Sequence, residues 1–227
     1  ATLPPNLQPV YTSFLTCLED ELAIGIDLIE TQGGYIETPE FEPGSSYMPF
    51  SSELNFLGVP IPYWYYVSGN NFEREQVPSI DEMQSELENF VEGRILGCEF
   101  DSYYNSGFQI TQGVPNAKVL IRDGEVQLDL NADLEVARNQ DRATVGEHRV
   151  VVESNLKELY DSARRVYDAE QSSLFLENYG VDVLGAYAPV DGVEVTCSPK
   201  IWNADDVFAD LSEAIEANTL ALGSGVN

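Results

Sequence analysis

Apolar residues recur every three or four positions between Leu7 and Thr31, and this spacing predicts an amphipathic helix. The stripe consists of Val10, Phe14, Leu15, Leu18, Leu22, Ile26 and Ile29. Gly33 and Gly34 follow, and glycine directly after a helix typically adopts the left-handed conformation that ends it. We then expect a short strand over 35–37 and a loop over 38–52, which is rich in proline, glycine and serine.

Helical patterns return three times further along the chain. Ser79 and Glu82 have the spacing of a capping box, which marks the start of a second helix that runs to Gly93. A third helix is predicted from about residue 155 to 176. A fourth begins after Asn203, whose side chain suits the N-cap position.

The apolar period changes to two between Phe108 and Val152, which is typical of β-strands. The clearest hairpin turns at Asp123-Gly124 between two alternating runs. Further antiparallel strands are expected at 134–136, 149–152 and 193–197. Because helices flank a block of strands instead of alternating with them, the pattern predicts an α+β fold, with an antiparallel sheet of three to five strands packed with about four helices.

The chain of 227 residues is long enough for one large domain. We expect a single α+β domain over residues 7–222, with a subdivision near residue 105 as the alternative. Residues 1–6 contain two prolines and are expected to form an extended linker from a membrane anchor that precedes residue 1. Residues 223–227 are expected to form a flexible tail.

Charge excludes two classes of partner. The chain carries 39 acidic and 11 basic residues, for a net charge of −28. This field repels phosphate backbones and anionic lipid, so neither nucleic acid nor a membrane surface is an expected partner. We favour adaptation to high salt, where screening is short-ranged. Binding of multivalent cations, or an ordinary acidic protein, are the alternatives.

No catalytic residue can be assigned. His148 is the one histidine, and it precedes an apolar strand as an ordinary strand residue would. The chain lacks the GxSxG, P-loop, GxGxxG and HExxH motifs. Among 39 acidic residues, a pair at the separation that glycoside hydrolysis needs arises by chance. We therefore expect a protein that is not an enzyme and needs no cofactor.

Calcium is the one cofactor for which the sequence offers weak candidates. Asp129, Asn131 and Asp133 have the D-x-N-x-D spacing that opens a calcium loop. Leu134 occupies the next position, where the sharp turn of such a loop needs glycine. In a strand, the same three residues would simply share the solvent face, and this is the preferred interpretation.

Cys17 and Cys98 are candidates for a disulfide, because each falls near a predicted helix end. A bridge between them would close a loop of about 81 residues and stabilise the fold by about 4 kcal/mol. Cys197 would then remain free. Three buried free thiols are the alternative.

The aromatic run Tyr63, Trp64, Tyr65 and Tyr66 is the candidate interaction surface. Aromatic side chains supply large apolar contact areas in protein interfaces. Such a run could also stack on sugars, but it more often has one face in the core and the other at an interface, and this structural interpretation is preferred.

Four segments in the same order resemble a family of uncharacterised archaeal cell-surface proteins, which look pilin-like and membrane-anchored. The segments are Gln32-Gly33-Gly34-Tyr35-Ile36, the run 59–66 through Tyr63-Trp64, Pro78 to Met83, and Cys197-Ser198-Pro199-Lys200-Ile201-Trp202. The resemblance implies an extracellular or cell-surface domain with a structural, filament or adhesion role, whose partners are proteins, including copies of itself. The alternatives are a secreted glycan hydrolase with an Asp/Glu pair, and a viral or symbiont envelope protein.

Overall fold

A computed structural model describes residues 3–47, 50–187 and 203–223. Spatial proximity groups the chain into two units, Ala1–Lys157 and Glu158–Asn227. The boundary falls at residue 157 and not near 105, because the helices before residue 105 pack on the strands after it. The predicted strand over 193–197 and all but the first residue of the predicted tail lie outside the described residues.

The first unit holds three helices and eight strands among its described residues. In chain order they are α1 (Gln8–Thr31), β1 (Glu53–Phe56), β2 (Val59–Pro62), β3 (Tyr65–Val67), β4 (Glu73–Glu75), α2 (Ile80–Arg94), the one-turn helix α3 (Asp101–Asn105), β5 (Gln109–Gln112), β6 (Asn116–Arg122), β7 (Glu125–Arg138) and β8 (Asp141–Glu153). A 3₁₀ turn, Ile95–Gly97, follows α2. The chain continues through α4 (Leu156–Ser173), α5 (Phe175–Tyr187) and α6 (Ala204–Gly223).

The main sheet has four antiparallel strands and is built around β7. On one side β8 pairs with β7 from end to end. On the other side β6 pairs with the first half of β7 and β5 pairs with the second half. The predicted hairpin is present, with Arg122 opposite Glu125. The prediction of an α+β fold with an antiparallel sheet of three to five strands is confirmed.

One face of this sheet is covered by α1. Alternate residues of three strands are buried on that face, as the period of two predicted. They are Ala117, Val119 and Ile121 of β6, Val126, Leu128 and Leu130 of β7, and His148 and Val150 of β8. Helix α1 buries Val10, Phe14, Leu18, Leu22, Ile26 and Ile29, six of the seven predicted positions. Helix α2 lies along α1 and along β6.

The C-terminal end of α1 and the N-terminal end of α2 follow the sequence prediction. After α1, Gly33 and Gly34 have φ angles of 68° and 103°, and the Gly34 N–H donates to the carbonyl of Ile29 at 2.9 Å. These left-handed angles cost glycine little and end the helix. At the start of α2, Ser79 and Glu82 form both hydrogen bonds of the capping box.

Three local predictions are wrong. Residues 35–37 form no strand, because the N–H groups of Ile36 and Glu37 donate to the carboxylate of Glu86 and not to another strand. The single helix over 155–176 is broken, since Leu174 adopts a positive φ of 51° and α5 starts at the next residue. The start of the chain is not extended throughout, because residues 5–7 form a turn.

Candidate interaction surface

The glycine motif after α1 anchors a lobe made of residues 50–76, here called the hairpin lobe. The Trp64 indole N–H donates to the carbonyl of Gly33 at 2.8 Å. A side chain at Gly34 would overlap with the ring of Pro78, so the backbone reaches this position only without a Cβ. The glycine motif is therefore a point at which the hairpin lobe attaches to the end of α1.

Tyr35, the residue after Gly34, also holds the hairpin lobe in place. Its hydroxyl donates to the carbonyl of Gln76 at 2.5 Å. Burial, followed by the nearby carboxylates of Glu82 and Glu86, raises the pKa of Tyr35 to about 12. The hydroxyl consequently stays protonated and able to donate throughout the neutral range.

Hydrogen bonds cross the interior of the hairpin lobe. Gln76 donates its backbone N–H to the carbonyl of Trp64 and its side-chain amide to the carbonyl of Tyr63, both at 2.8 Å. Tyr63 in turn donates its backbone N–H to Ser52 at 2.9 Å. Ser52 is buried and accepts the backbone N–H of Glu42 on its hydroxyl. The lobe thus has a defined structure instead of being an open loop.

Of the four aromatic residues that the sequence identified, three are half-buried and one is exposed. Tyr63 and Trp64 are half-buried at the base of the lobe. Tyr66 is also half-buried, and burial followed by Glu42, which shares a hydrogen bond with its hydroxyl, raises its pKa. Tyr65 alone of the four is exposed, at 37%. Most of the block therefore holds the lobe together.

The largest exposure of apolar side chains in the lobe is at the turn between β1 and β2. Leu57 is 90% exposed and Phe56, which pairs with Val59 across the hairpin, is 57% exposed. We call these three residues the hairpin tip. Leu57 and Gly58 have φ angles of 53° and 93°. A two-residue hairpin turn of type I′ has positive φ at both turn positions, and leucine adopts it at a cost of about 1–2 kcal/mol.

The sequence analysis did not identify the hairpin tip as an exposed apolar turn, because glycine, proline and serine dominate the segment before it. A signal was available in Asn55-Phe56-Leu57-Gly58, where a turn ending in glycine is flanked by apolar residues. Leucine in place of the asparagine or aspartate usual before that glycine weakens the turn pattern. An apolar side chain kept at a strained, exposed position is a feature that binding sites share.

The calcium candidates lie on the solvent face of the sheet, as the preferred interpretation expected. Asp129 accepts hydrogen bonds on both carboxylate oxygens, from Gln127 at 2.6 Å and from Arg149 at 2.5 Å. In the part of the chain that the structure describes, no group of three acidic, histidine or cysteine residues is arranged to hold a metal.

A shallow depression of about 560 Å³ lies on this solvent face of the sheet. Its charged side chains are Lys118, Asp129, Glu147 and Arg149. Lys118 is paired with Glu88 at 2.9 Å and Arg149 with Asp129, so the cations are partly neutralised within the protein. Hydrogen bonding by Arg149 lowers the pKa of Asp129, which keeps this carboxylate ionised. The depression has the mixed charge of a contact surface and lacks the enclosure of a substrate pocket.

His148 is a core residue. It is 3% exposed, its Nε2 lies 2.8 Å from the carbonyl oxygen of Ala132, and its ring meets Phe14 edge-on at 4.9 Å between centroids. Burial lowers its pKa. Among the described residues, no nucleophile or carboxylate is hydrogen-bonded to the ring.

A disulfide joins Cys17 to Cys98, the pair that the sequence offered. Cys17 lies in the middle of α1 and Cys98 follows the 3₁₀ turn after α2. The bridge therefore joins α1 to the segment that follows α2. Cys197 lies outside the described residues.

Glu170 and Glu177 form the one pair of carboxyl groups whose pKa values shift in opposite directions among the described residues. Burial and a hydrogen bond with Glu177 raise the pKa of Glu170, and the same bond lowers the pKa of Glu177. Glu170 also accepts the N–H of Leu176, at the start of α5. Carboxyl groups in direct contact leave no space for a glycosidic bond, which needs about 5 Å or more between them.

Comparison with known proteins gives no relative for this chain. No family model, no curated protein and no solved structure matches it. Among the helices described here, none is both long and apolar enough to cross a membrane.

Proposed function

We propose that this chain is the extracellular domain of an archaeal cell-surface protein with a structural, filament or adhesion role, in which the hairpin tip contacts another protein. The observation that carries the proposal is the hairpin tip itself, an apolar and strained turn on a lobe held by hydrogen bonds. Exposed apolar patches with polar surroundings mark interaction sites.

Charge favours a protein over lipid as the partner of the hairpin tip. Glu53 begins the first strand of the hairpin, and Glu73 and Glu75 lie on β4 of the same lobe. These carboxylates repel an anionic membrane surface but are compatible with the polar rim of a protein interface. An apolar centre with a charged rim is the usual arrangement of residues that dominate binding energy.

The extracellular location is supported by the disulfide and by the motif resemblance. Disulfides persist in oxidising compartments and are rare in the cytosol. The dense carboxylate surface, with 39 acidic residues, also suits a protein in a saline medium. None of the described side-chain clusters favours hydrolysis over this structural role.

The experiment compares wild-type protein with Leu57→Asn in binding to intact cells and isolated envelopes of the source organism. Asparagine tolerates positive φ and removes the apolar tip, so the variant should be more stable by about 1 kcal/mol. Binding should nevertheless fall about tenfold or more. Val114→Asn removes an equally exposed apolar residue outside the lobe and should bind as the wild type does.

An antibody against the domain, used in microscopy of native cells, tests the location separately. Labelling at the surface or on filaments is expected, and labelling confined to the cytoplasm would reject the proposal. Equal binding by wild type and Leu57→Asn would reject the role of the hairpin tip.

A further inference from the structure

The two long edges of the sheet differ in the partners of their backbone N–H groups. At the β6 edge, the N–H groups of Ala117, Val119 and Ile121 donate to side chains of α2 at 2.7–3.0 Å. This is a common way to prevent pairing with another chain. At the other edge lies β8, a strand of 13 residues that pairs with no strand except β7 within the described ranges.

The hydrogen bonds at the β6 edge show which backbone groups of β8 point away from β7. The Ala117 N–H points toward α2 and away from β7, so its partner Leu130 directs its own backbone groups toward β8. The partner of Leu130 on β8 is His148, which therefore faces β7. Since direction alternates along a strand, the residues on either side of His148, Glu147 and Arg149, point their N–H and carbonyl groups outward.

The charges at this edge are self-complementary. Glu147 and Arg149 are both exposed and lie on the solvent face of the sheet, opposite to buried His148. If a second β8 pairs antiparallel about a two-fold axis at His148, each Glu147 lies directly opposite the Arg149 of the other copy. Moving the axis by one residue places Glu147 opposite Glu147, or Arg149 opposite Arg149. Charge therefore favours the axis at His148 over the two adjacent ones.

The region around β8 also carries little net charge, which limits the repulsion between two copies there. Residues 118–157 contain six of the eleven basic residues but only eight of the 39 acidic ones. The remaining 31 acidic residues and five basic residues lie outside this stretch, so most of the net charge of −28 is carried by other parts of the chain.

We infer that β8 is a self-association edge, through which a second copy of this chain extends the sheet by antiparallel strand addition. The backbone groups of Glu147, Arg149, Val151 and Glu153 supply the hydrogen bonds, as in other cases of β-strand addition. Two Glu147–Arg149 pairs fix the register. The inference adds one partner to the structural role proposed above, and it does not involve the hairpin tip.

The test is sedimentation velocity of the wild-type chain and charge variants, from micromolar to millimolar protein at moderate salt. The wild type should form dimers. Glu147→Arg places arginine opposite Arg149 in both pairs and should weaken association about tenfold or more. The double swap Glu147→Arg with Arg149→Glu restores opposite charges across the edge and should restore the dimer relative to Glu147→Arg, with Arg149→Glu alone as the control for loss of the Arg149–Asp129 ion pair. Glu153→Arg, whose side chain would lie opposite Ala143, should leave the dimer unchanged.

Three results would overturn the inference: a wild type that stays monomeric up to millimolar concentration, a dimer that Glu147→Arg does not weaken, or a double swap that does not restore it. Thermal unfolding of each variant separates misfolding from lost association. Leu57→Asn should dimerise normally, so the strand edge and the hairpin tip can fail independently.

Discussion

The carboxylate of Glu92 accepts a hydrogen bond from the backbone N–H of Ala117 at 2.7 Å, although 25 residues separate them in sequence. Glu88 and Gln84 repeat the contact one and two helical turns earlier. Helix residues four apart are separated by about 6 Å, and strand residues two apart by about 6.6 Å. This near match lets one face of α2 satisfy every second N–H of β6.

Replacing Glu92 tests this protection of the sheet edge. Glu92→Leu leaves the largely buried N–H of Ala117 without its acceptor and should lower the free energy of unfolding by about 1–3 kcal/mol. Glu92→Gln keeps an acceptor oxygen, as Gln84 does naturally for Ile121, and should cost much less. Urea unfolding at constant salt measures both. Equal losses for the two variants would show that the hydrogen bond contributes little.

Gly34 should tolerate no side chain. Gly34→Ala combines a left-handed φ with an overlap against the ring of Pro78, so we expect a loss of roughly 3 kcal/mol. Gly58 has a similar φ of 93° but open space around it, and Gly58→Ala should cost only about 1 kcal/mol. Denaturant unfolding compares the two. A matching cost at both positions would contradict the packing argument for the glycine motif.

The disulfide predicts a count of free thiols. Labelling of the denatured, unreduced protein should find one thiol per chain, from Cys197. Reduction should lower the free energy of unfolding by about 4 kcal/mol, because the bridge spans 81 residues and restricts the unfolded chain. Three labelled thiols before reduction would show that Cys17 and Cys98 are not joined.

His148 should make stability depend on pH in a defined direction. Because burial lowers its pKa in the folded state, protons bind more readily to the unfolded chain, whose histidine has a pKa of about 6.5. The stabilisation by neutral His148 is complete above that value. It is lost as the pH falls below about 6.5 toward the folded-state pKa.

The measurement is straightforward because the chain has one histidine. Its ring protons in NMR should titrate with a midpoint below about 6.5. Unfolding at molar potassium chloride should show the free energy falling between about pH 6.5 and 5, before most carboxylates titrate. In His148→Gln this slope should disappear, since the amide can still donate to Ala132 but does not ionise. A midpoint above the ordinary value would refute the buried, neutral ring.

Salt should stabilise the folded chain strongly. Repulsion among carboxylates in a chain of net charge −28 is screened within about 3 Å at molar salt. The free energy of unfolding should therefore rise steeply as potassium chloride increases toward molar concentrations. A flat profile would remove the interpretation of adaptation to high salt.

Secondary structure could be predicted wherever the apolar periodicity agreed with the residues that typically begin or end a helix or form a turn. The stripe of α1, the capping box of α2 and the hairpin at Gly124 all rest on contacts between residues close in sequence. The break at Leu174 could not be predicted in this way, because leucine is ordinarily a good helix former. The position of α2 was also unpredictable, because its hydrogen bonds to β6 join residues 25 to 37 positions apart.

The sequence by itself determined the α+β class, the helix ends and the acidic surface, since period, glycine placement and composition are local or additive properties. It also offered the pairing of Cys17 with Cys98 as one of two alternatives. Tertiary structure alone decided that Trp64 is an anchor and Leu57 is exposed, because burial depends on which distant segments meet. It likewise decided that α2 covers the β6 edge of the sheet, whereas β8 pairs only with β7 among the described strands, a difference that depends on where α2 packs.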